Sequence, residues 1–142
     1  MDADVLNIGQ DNLLKAKIMT ILVVEDEKRI SSFVKRGLEM EQYAVDVADN
    51  GEKALKLATS NTYDLIIMDI MLPKMTGIEV TRKIREKKIT TPIVMLTARD
   101  TNDERTKSFE AGAQEYLIKP FLFSELTSTI QTLLQKEASQ TK

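Results

Sequence analysis

The sequence predicts an α/β fold: one domain built on a doubly wound, five-stranded parallel sheet. Short apolar runs alternate five times with segments whose apolar residues recur at helical spacing. Three of these runs are apolar throughout, which is typical of strands buried on both faces. Strands that alternate with helices favour a parallel sheet with helices on both sides. A chain of 142 residues fits one such domain.

The elements succeed one another in order along the chain. The predicted strands are residues 21–24, 44–47, 65–68, 93–96 and 115–118. Asn50-Gly51 indicates a turn before the second helix. The first predicted helix includes Ile30, Phe33, Val34 and Leu38, and the second includes Ala54, Leu55 and Ala58. The third spans 77–87, and the fourth spans 102–111 and is ended by Gly112. The fifth includes Leu126, Ile130, Leu133 and Leu134, with Ser124 as its N-cap.

Residues 1–18 differ in pattern from the rest of the chain, and we expect an N-terminal extension that is helical or disordered. Leu13, Leu14 and Ile18 would line one side of a short helix begun by Asp11 or Asn12. The folded domain is predicted over 19–137 and a tail over 138–142. The first residues lack a basic-then-apolar signal pattern, and no apolar run is long enough to cross a bilayer. A cytoplasmic protein without membrane contact is therefore expected.

Composition excludes several kinds of chemistry. The chain has no cysteine and no histidine, so disulfides, thiolate zinc sites, thiol catalysis and a phosphohistidine on this chain are excluded. A formal net charge of −2 indicates no basic surface for nucleic acid, and direct nucleic-acid binding is not expected. Carboxylates, lysines, hydroxyls and backbone groups remain as candidate reactive groups.

Polar residues stand directly after four of the predicted strands. Glu25-Asp26-Glu27 comes after the first, Asp69 after the third, Thr97 after the fourth and Lys119 after the fifth. The carboxyl ends of parallel strands meet at one edge of the sheet, where such folds bind their ligands. The sequence therefore predicts a pocket that gathers carboxylates, a hydroxyl and an amine.

This set of groups suits phosphoryl transfer. Clustered carboxylates repel one another unless cations separate them, and Lys119 and Mg²⁺ would do so. A carboxylate such as Asp69 can act as nucleophile and form an aspartyl-phosphate. Each residue alone has an ordinary alternative: Asp26 as a helix cap, Thr97 as a bonded loop hydroxyl, Lys119 as a solvated cation. For the Lys119–Pro120 bond both cis and trans are open, and trans is the general expectation for X-Pro bonds.

Four segments resemble the receiver domains of bacterial response regulators. They are ILVVEDE at 21–27, YDLIIMDIMLPKMTG at 63–77, PIVMLTA at 92–98 and EAGAQEYLIKPF at 110–121, and the resemblance runs over residues 20–136. It implies a flavodoxin-like (βα)5 fold with strand order 2-1-3-4-5. It also implies a signalling switch rather than an enzyme, one that catalyses its own phosphoryl transfer and slow dephosphorylation.

The resemblance implies a role for each site residue. Asp69 would accept phosphate from a sensor histidine kinase or a phosphotransfer protein. Glu25, Asp26, Asp69 and the backbone carbonyl of Met71 would hold Mg²⁺, and Lys119 would contact the phosphoryl group.

The resemblance also implies how the signal is passed on. Thr97 and Tyr116 would be the switch pair, although Tyr116 alone is typical of a half-buried strand tyrosine. Met71 and Arg99 would tune the lifetime of the phosphate.

TARD at 97–100 and EAGA at 110–113 are similar to the receivers of winged-helix transcription regulators. Those receivers dimerise through charges on the last helix–strand–helix face. Here Gln114-Glu115 replaces their acidic pair, and residues 124–134 contain no basic residue. The face is expected to bind a homodimer partner or a downstream effector. With no room for a second domain, the chain is interpreted as a stand-alone regulator or a fragment of a larger one.

Three other classes of protein fit the motifs less well. A dehalogenase-like phosphatase would carry D-x-D-x-T/V after its first strand, which EDEKR at 25–29 does not match. A receiver-like interaction module without phosphorylation would lack an acid, the acceptor or the lysine. A flavin-binding domain would need a Ser-, Thr- or Gly-rich loop where EDEKRIS stands.

Overall fold

The structure is a computed structural model that describes the backbone of residues 18–140 and the side chains of residues 18–136. Five parallel strands form one sheet in the order β2-β1-β3-β4-β5, as the sequence predicts. The strands are β1 Thr20–Val24, β2 Ala44–Ala48, β3 Leu65–Asp69, β4 Ile93–Thr97 and β5 Glu115–Ile118. The helices are α1 Lys28–Met40, α2 Gly51–Ser60, α3 Gly77–Glu86, α4 Asn102–Ala111 and α5 Phe123–Gln140.

Side chains of alternate strand residues enter two separate cores, one on each face of the sheet. In β1, Ile21 and Val23 belong to the core that includes Leu38 of α1 and Ile130 of α5. Leu22 and Val24 belong to the other core, which includes Ala54, Val80 and Ala111 from α2, α3 and α4. Every residue of β3 and β4 is buried. Continuous apolar runs are required at these strands because helices cover both of their faces.

The strand register aligns the carboxyl ends of the central strands. Val24 pairs with Met68 between β1 and β3, and Asp69 pairs with Leu96 between β3 and β4. Thr97 pairs with Ile118 at the end of β5. The residues next in sequence after these positions therefore emerge at one edge of the sheet.

Two local predictions concern helix starts. The chain bends at Asp49-Asn50, so the turn predicted from Asn50-Gly51 is present, and Asn50 is also the N-cap of α2, because its side chain accepts a hydrogen bond from the Lys53 amide. Ser124 is not the N-cap of α5, because the helix begins one residue earlier, at Phe123.

Leu122 occupies the capping position of α5. Its carbonyl accepts from the amides of Glu125 and Leu126, and the Glu125 carboxylate accepts from the Leu122 amide at 2.9 Å. The glutamate thus supplies the cap from inside the first turn.

Other local predictions have clear outcomes. Gly112 ends α4 with a φ of 117°, a left-handed conformation that glycine adopts without strain. The Lys119–Pro120 bond is cis, whereas trans is the general expectation. The preference of an X-Pro bond for trans over cis is small, because proline forms a tertiary amide.

The proposed start of an N-terminal helix at Asp11 or Asn12 lies outside the described residues. Helix α5 continues to Gln140, past the domain boundary predicted at 137. Within residues 18–140, no helix combines the length and apolarity that crossing a bilayer requires.

Candidate functional site

Three carboxylates meet at the carboxyl edge of the sheet. Asp69 is the last residue of β3 and is 2% exposed, and Glu25 comes directly after β1 and is 1% exposed. Asp26 is exposed at the rim of the same pocket. One oxygen from each lies within 4.8 Å of the others. The strand ends therefore bring together the acids that the sequence predicts for this pocket.

Lys119 lies between the two buried acids. Its Nζ is 2.7 Å from Glu25 Oε1 and 3.4 Å from Asp69 Oδ2. Burial raises the pKa of Glu25, while the hydrogen bond from Lys119 opposes that shift. Burial would lower the pKa of Lys119, but the hydrogen bond to Glu25 and the charge of Asp69 outweigh it, and the pKa is raised. Lys119 is therefore held as a cation.

Backbone amides fix the orientation of both buried carboxylates. The Glu27 amide donates to Glu25 Oε2 at 3.1 Å, and the Met71 amide donates to Asp69 Oδ1 at 3.2 Å. Both amides come from the residue two positions after the acid. The loop after each strand thus donates a backbone hydrogen bond to the carboxylate at its start. This bond limits the rotation of the Glu25 and Asp69 side chains.

The pocket fits a hard divalent cation. It offers three carboxylates and one ammonium group, so negative charge remains after Lys119 is counted. In proteins Mg²⁺ binds oxygen ligands, and it usually retains several of its water molecules, so its site must be partly open to solvent. Exposed Asp26 leaves one side of the cluster open to solvent. The donor set and its charge thus suit Mg²⁺.

Thr97, the last residue of β4, is buried and bonded to the loop that comes after it. Its hydroxyl donates to Glu104 Oε1 at 3.4 Å and accepts from the Arg99 amide at 3.1 Å. The Arg99 guanidinium is 3.6 Å from the second Glu104 oxygen. Glu104 was not among the site residues predicted from the sequence. Its position in the first turn of a predicted helix was the only available signal, and it did not indicate Thr97 as a partner.

Tyr116 lies in β5 and is 7% exposed, so it is more deeply buried than the half-buried strand tyrosine named as the alternative to a switch residue. Its hydroxyl donates to the Arg99 carbonyl at 2.9 Å. The Arg105 guanidinium lies 4.7 Å from the centre of the tyrosine ring. Burial raises the pKa of the phenol. Thr97 and Tyr116 are thus connected through the backbone of one residue, Arg99.

The two predicted lifetime-tuning residues lie outside the buried part of the site. Met71 and Arg99 both have exposed side chains, although their amides bond to Asp69 and Thr97. Both side chains are therefore accessible to solvent, and that of Arg99 also pairs with Glu104.

The fold and the site define an α/β domain with an acidic, lysine-containing pocket at the carboxyl edge of a parallel sheet. The chain belongs to the response regulator receiver domain family, whose model matches residues 21–131. It is therefore a receiver domain of the kind found in two-component signalling.

Similar proteins include transcriptional regulators. The chain is 48% identical over 121 residues to the transcriptional regulatory protein ResD of Bacillus subtilis, which covers 85% of this chain and 50% of ResD. It is 44% identical over 121 residues to CusR of Escherichia coli K12, which covers 85% of this chain and 53% of CusR. The chain thus spans about half the length of the curated relatives it matches.

Solved structures of the same fold cover nearly the whole domain. The response regulator TrrA of Thermotoga maritima, in complex with Mg²⁺-BeF, is 42% identical, with a TM-score of 0.75 over 82% of this chain and 99% of TrrA. A CheY-like receiver domain protein of Methanospirillum hungatei is 27% identical, with a TM-score of 0.84 over 87% of this chain and 99% of that one.

Proposed function

We propose that this domain is a phosphoacceptor switch in which Asp69 takes a phosphoryl group from the phosphohistidine of a partner. The partner is a sensor histidine kinase or a phosphotransfer protein. The observation that carries the proposal is the buried Asp69 carboxylate, held by the Met71 amide and faced by Lys119 at 3.4 Å. A carboxylate so held is oriented for attack, with a cation beside the charge that develops.

In this reaction an Asp69 oxygen forms a bond to phosphorus while the donor's nitrogen–phosphorus bond breaks. The electron pair of the broken bond stays with the imidazole nitrogen. Lys119 neutralises charge on a phosphoryl oxygen, and the Thr97 hydroxyl donates a hydrogen bond to another. Glu25, Asp26, Asp69 and the Met71 carbonyl would hold Mg²⁺. When bound, this ion supplies positive charge that offsets repulsion between the acids and the phosphoryl group.

The contacts of Thr97 provide a route for the signal. A phosphoryl group on Asp69 competes with Glu104 for the Thr97 hydroxyl, which now donates to Glu104 at a long 3.4 Å. The Arg99 backbone bonds to both Thr97 and Tyr116, so a shift of Thr97 displaces the loop that holds the tyrosine. New charge-assisted bonds at Asp69 thereby bias the surface around α4 and β5.

The surface formed by α4, β5 and α5 is the proposed output site. Glu115 borders a groove of about 130 Å³ lined by the hydroxyls of Ser128, Thr129 and Thr132. Residues 124–134 contain no basic residue that could pair with Glu115 in a homodimer, although α4 of the same face carries Arg105 and Lys107. The face is proposed to bind either a downstream effector or a homodimer partner.

The phosphoacceptor role is tested by intact mass after incubation with a small phosphodonor and Mg²⁺. Wild type is expected to gain the mass of one phosphoryl group, and Asp69→Ala is expected to gain none. Asp103→Ala, which removes an exposed acid of α4, is the matched control and should label as wild type does. Equal labelling of Asp69→Ala would overturn the assignment.

The domain is proposed to act as a switch that loses its phosphate slowly, not as a turnover enzyme. Met71 and Arg99 are bulky and exposed, so their side chains can hinder water that approaches the phosphoryl group. We expect the lifetime of the aspartyl-phosphate to be minutes or longer in wild type. This lifetime should be shorter in Met71→Ala and in Arg99→Ala. Decay measured by intact mass tests this, and loss within seconds in wild type would contradict it.

A further inference from the structure

A large apolar groove lies between α1 and the start of α5. It has a volume of about 870 Å³ and is lined by Phe33, Gly37, Met40 and Phe123 among others. Phe33 is 55% exposed and Met40 is 80% exposed, and the rings of Phe33 and Phe123 meet edge to face at 5.8 Å. Large apolar side chains grouped at a surface usually mark a site that another segment covers.

Charged residues border this groove in a definite order. Lys28, Arg29 and Arg36 lie along it, and Glu41 lies at the end nearest the C-terminus of α1. The ion pairs of the described side chains include none of the three cations. The groove is therefore basic along most of its length and acidic at one end.

The chain enters β1 beside the acidic end. The Met19 carbonyl accepts from the amide of Ala44, which is only four residues beyond the last residue of α1, Met40. Ile18 precedes Met19 and is 68% exposed. Ile18, the first described residue, therefore lies near the segment that connects the end of α1 to β2.

Residues 1–17 lie outside the described part of the chain, but their sequence matches the groove in order. Lys15 and Lys17 come nearest the folded domain, Leu13 and Leu14 come next, and the acids Asp2, Asp4 and Asp11 are farther away. The 13 residues of α1 span about 20 Å, and 17 residues span at least about 25 Å even when helical. The segment is long enough to run the length of the groove.

We propose that residues 1–17 bind in the groove between α1 and α5. Lys15 and Lys17 lie near Glu41, and Leu13 and Leu14 cover Met40 and Phe33. The acids then run past Arg36 and Arg29 toward Lys28. Because the segment is tethered to its site, its effective concentration is high and weak contacts suffice.

The occupied groove ends near the acidic pocket. Lys28 lines the groove and also a second opening bordered by Glu25 and Asp26. A segment that reaches Lys28 therefore borders the mouth of the site that contains Asp69. The proposal itself rests on the groove and the N-terminal sequence and does not require that Asp69 be phosphorylated.

A single spin label tests the proposal. The chain has no cysteine, so Asn7→Cys carries one nitroxide on the full chain without altering a charge. In NMR spectra, paramagnetic broadening by the nitroxide should remove most of the intensity of the amide signals of Phe33, Arg36 and Met40. The amide signals of α4, such as that of Lys107, should keep their intensity. Equal loss in both helices, or no loss in α1, would overturn the proposal.

Charge reversal and isotope mixing distinguish binding within one chain from contact between two copies. Arg29→Glu with Arg36→Glu should restore the α1 signals of the labelled chain. Lys83→Glu with Lys87→Glu on exposed positions at the end of α3 is the matched control and should restore nothing. Persistence of the broadening after reversal in α1 counts against the proposal. So does broadening that occurs only between spin-labelled and isotope-labelled copies, because a second chain would then be the occupant.

Discussion

Lys119 is the residue on which the electrostatics of the site depend most. It is the cation between Glu25 and Asp69, two carboxylates that are almost fully buried. Carboxylates removed from water are stable in their charged form only when paired with cations or hydrogen-bond donors. Burial raises the pKa of Glu25, and the hydrogen bond from Lys119 opposes that shift.

Replacing Lys119 by methionine should destabilise the domain in the absence of divalent ions. We expect a loss of about 3 kcal/mol in the free energy of unfolding, because breaking a buried pair leaves charge uncompensated. Part of the loss should be recovered with Mg²⁺, which supplies the missing charge. Urea unfolding with and without the ion measures both effects.

Lys107→Met is the control for that experiment. Lys107 pairs with Asp103 on the exposed surface of α4, where an ion pair contributes little. If both substitutions changed stability equally, Lys119 would not be compensating buried charge.

Glu104 and Arg99 show what the sequence could not predict about single residues. The motif indicated Thr97, but its partners depend on how the loop between β4 and α4 folds back. The Thr97–Glu104 bond and the two backbone bonds at Arg99 arise from that loop geometry. No spacing rule encodes it, because the loop has no periodic contact with the core.

At the scale of elements, the connection from β3 to α3 sets the position of Asp69. The amide of Gly77, the first residue of α3, donates to the Ile70 carbonyl at 2.9 Å. A Cβ added at Gly77 would overlap the backbone carbonyl of Asp69. Only glycine allows the helix to begin this close to the strand end.

Gly77→Ala should therefore be strongly destabilising. The overlap is with backbone, so the strand end or the helix must move, and overpacking of this kind costs about 1–3 kcal/mol. Labelling of Asp69 by a phosphodonor should fall as well. Thermal unfolding and intact mass measure the two effects.

Gly37→Ala is the matched control for the glycine experiment. A Cβ at Gly37 meets the tip of the Phe123 ring, a side chain at the edge of the groove. That ring can rotate away, so the loss should be smaller than for Gly77→Ala. The reverse order of stability would contradict the role assigned to Gly77 in the β3–α3 connection.

Helix α4 buries few of its side chains. Among its residues only Ser108 and Ala111 are buried, and the Ser108 hydroxyl has no hydrogen-bond partner among the described residues. A buried unsatisfied hydroxyl destabilises a fold. Such a helix can shift at small cost, which suits an element proposed to respond to Thr97.

Ser108→Ala should stabilise the domain by about 1 kcal/mol, because it removes the unsatisfied hydroxyl and keeps the packing volume. Ser128→Ala, at an exposed position of α5, should change stability little. Chemical denaturation compares the two variants, and a destabilised Ser108→Ala would indicate a partner that the geometry does not reveal.

At the scale of the whole molecule, the site is held by the sheet that also organises both cores. Glu25, Asp69 and Lys119 lie at the ends of β1, β3 and β5, three strands of one sheet that are separate in sequence, so unfolding separates them. Any ligand bound to these groups together is bound only by the folded state. Its binding energy therefore adds to stability.

Mg²⁺ should raise the unfolding temperature of the wild-type domain. At a concentration a hundredfold above its Kd, the gain is about 2.7 kcal/mol. Asp26→Asn should reduce this gain while leaving the metal-free stability nearly unchanged, because Asp26 is exposed. Asp103→Asn serves as the control and should retain the full gain. An identical response of both variants to Mg²⁺ would exclude Asp26 as a ligand.

The order of apolar and polar residues was sufficient to predict the five strands, the helices between them and the members of the pocket. It succeeded there because burial on two faces requires apolar runs, and the parallel topology brings their ends together. The capping of α5 at Leu122, the Glu104 contact, the Arg99 bridge and the groove beside α1 depended on the tertiary structure. Each involves loop geometry or surfaces of separate elements, and their distances arise only when the chain has packed.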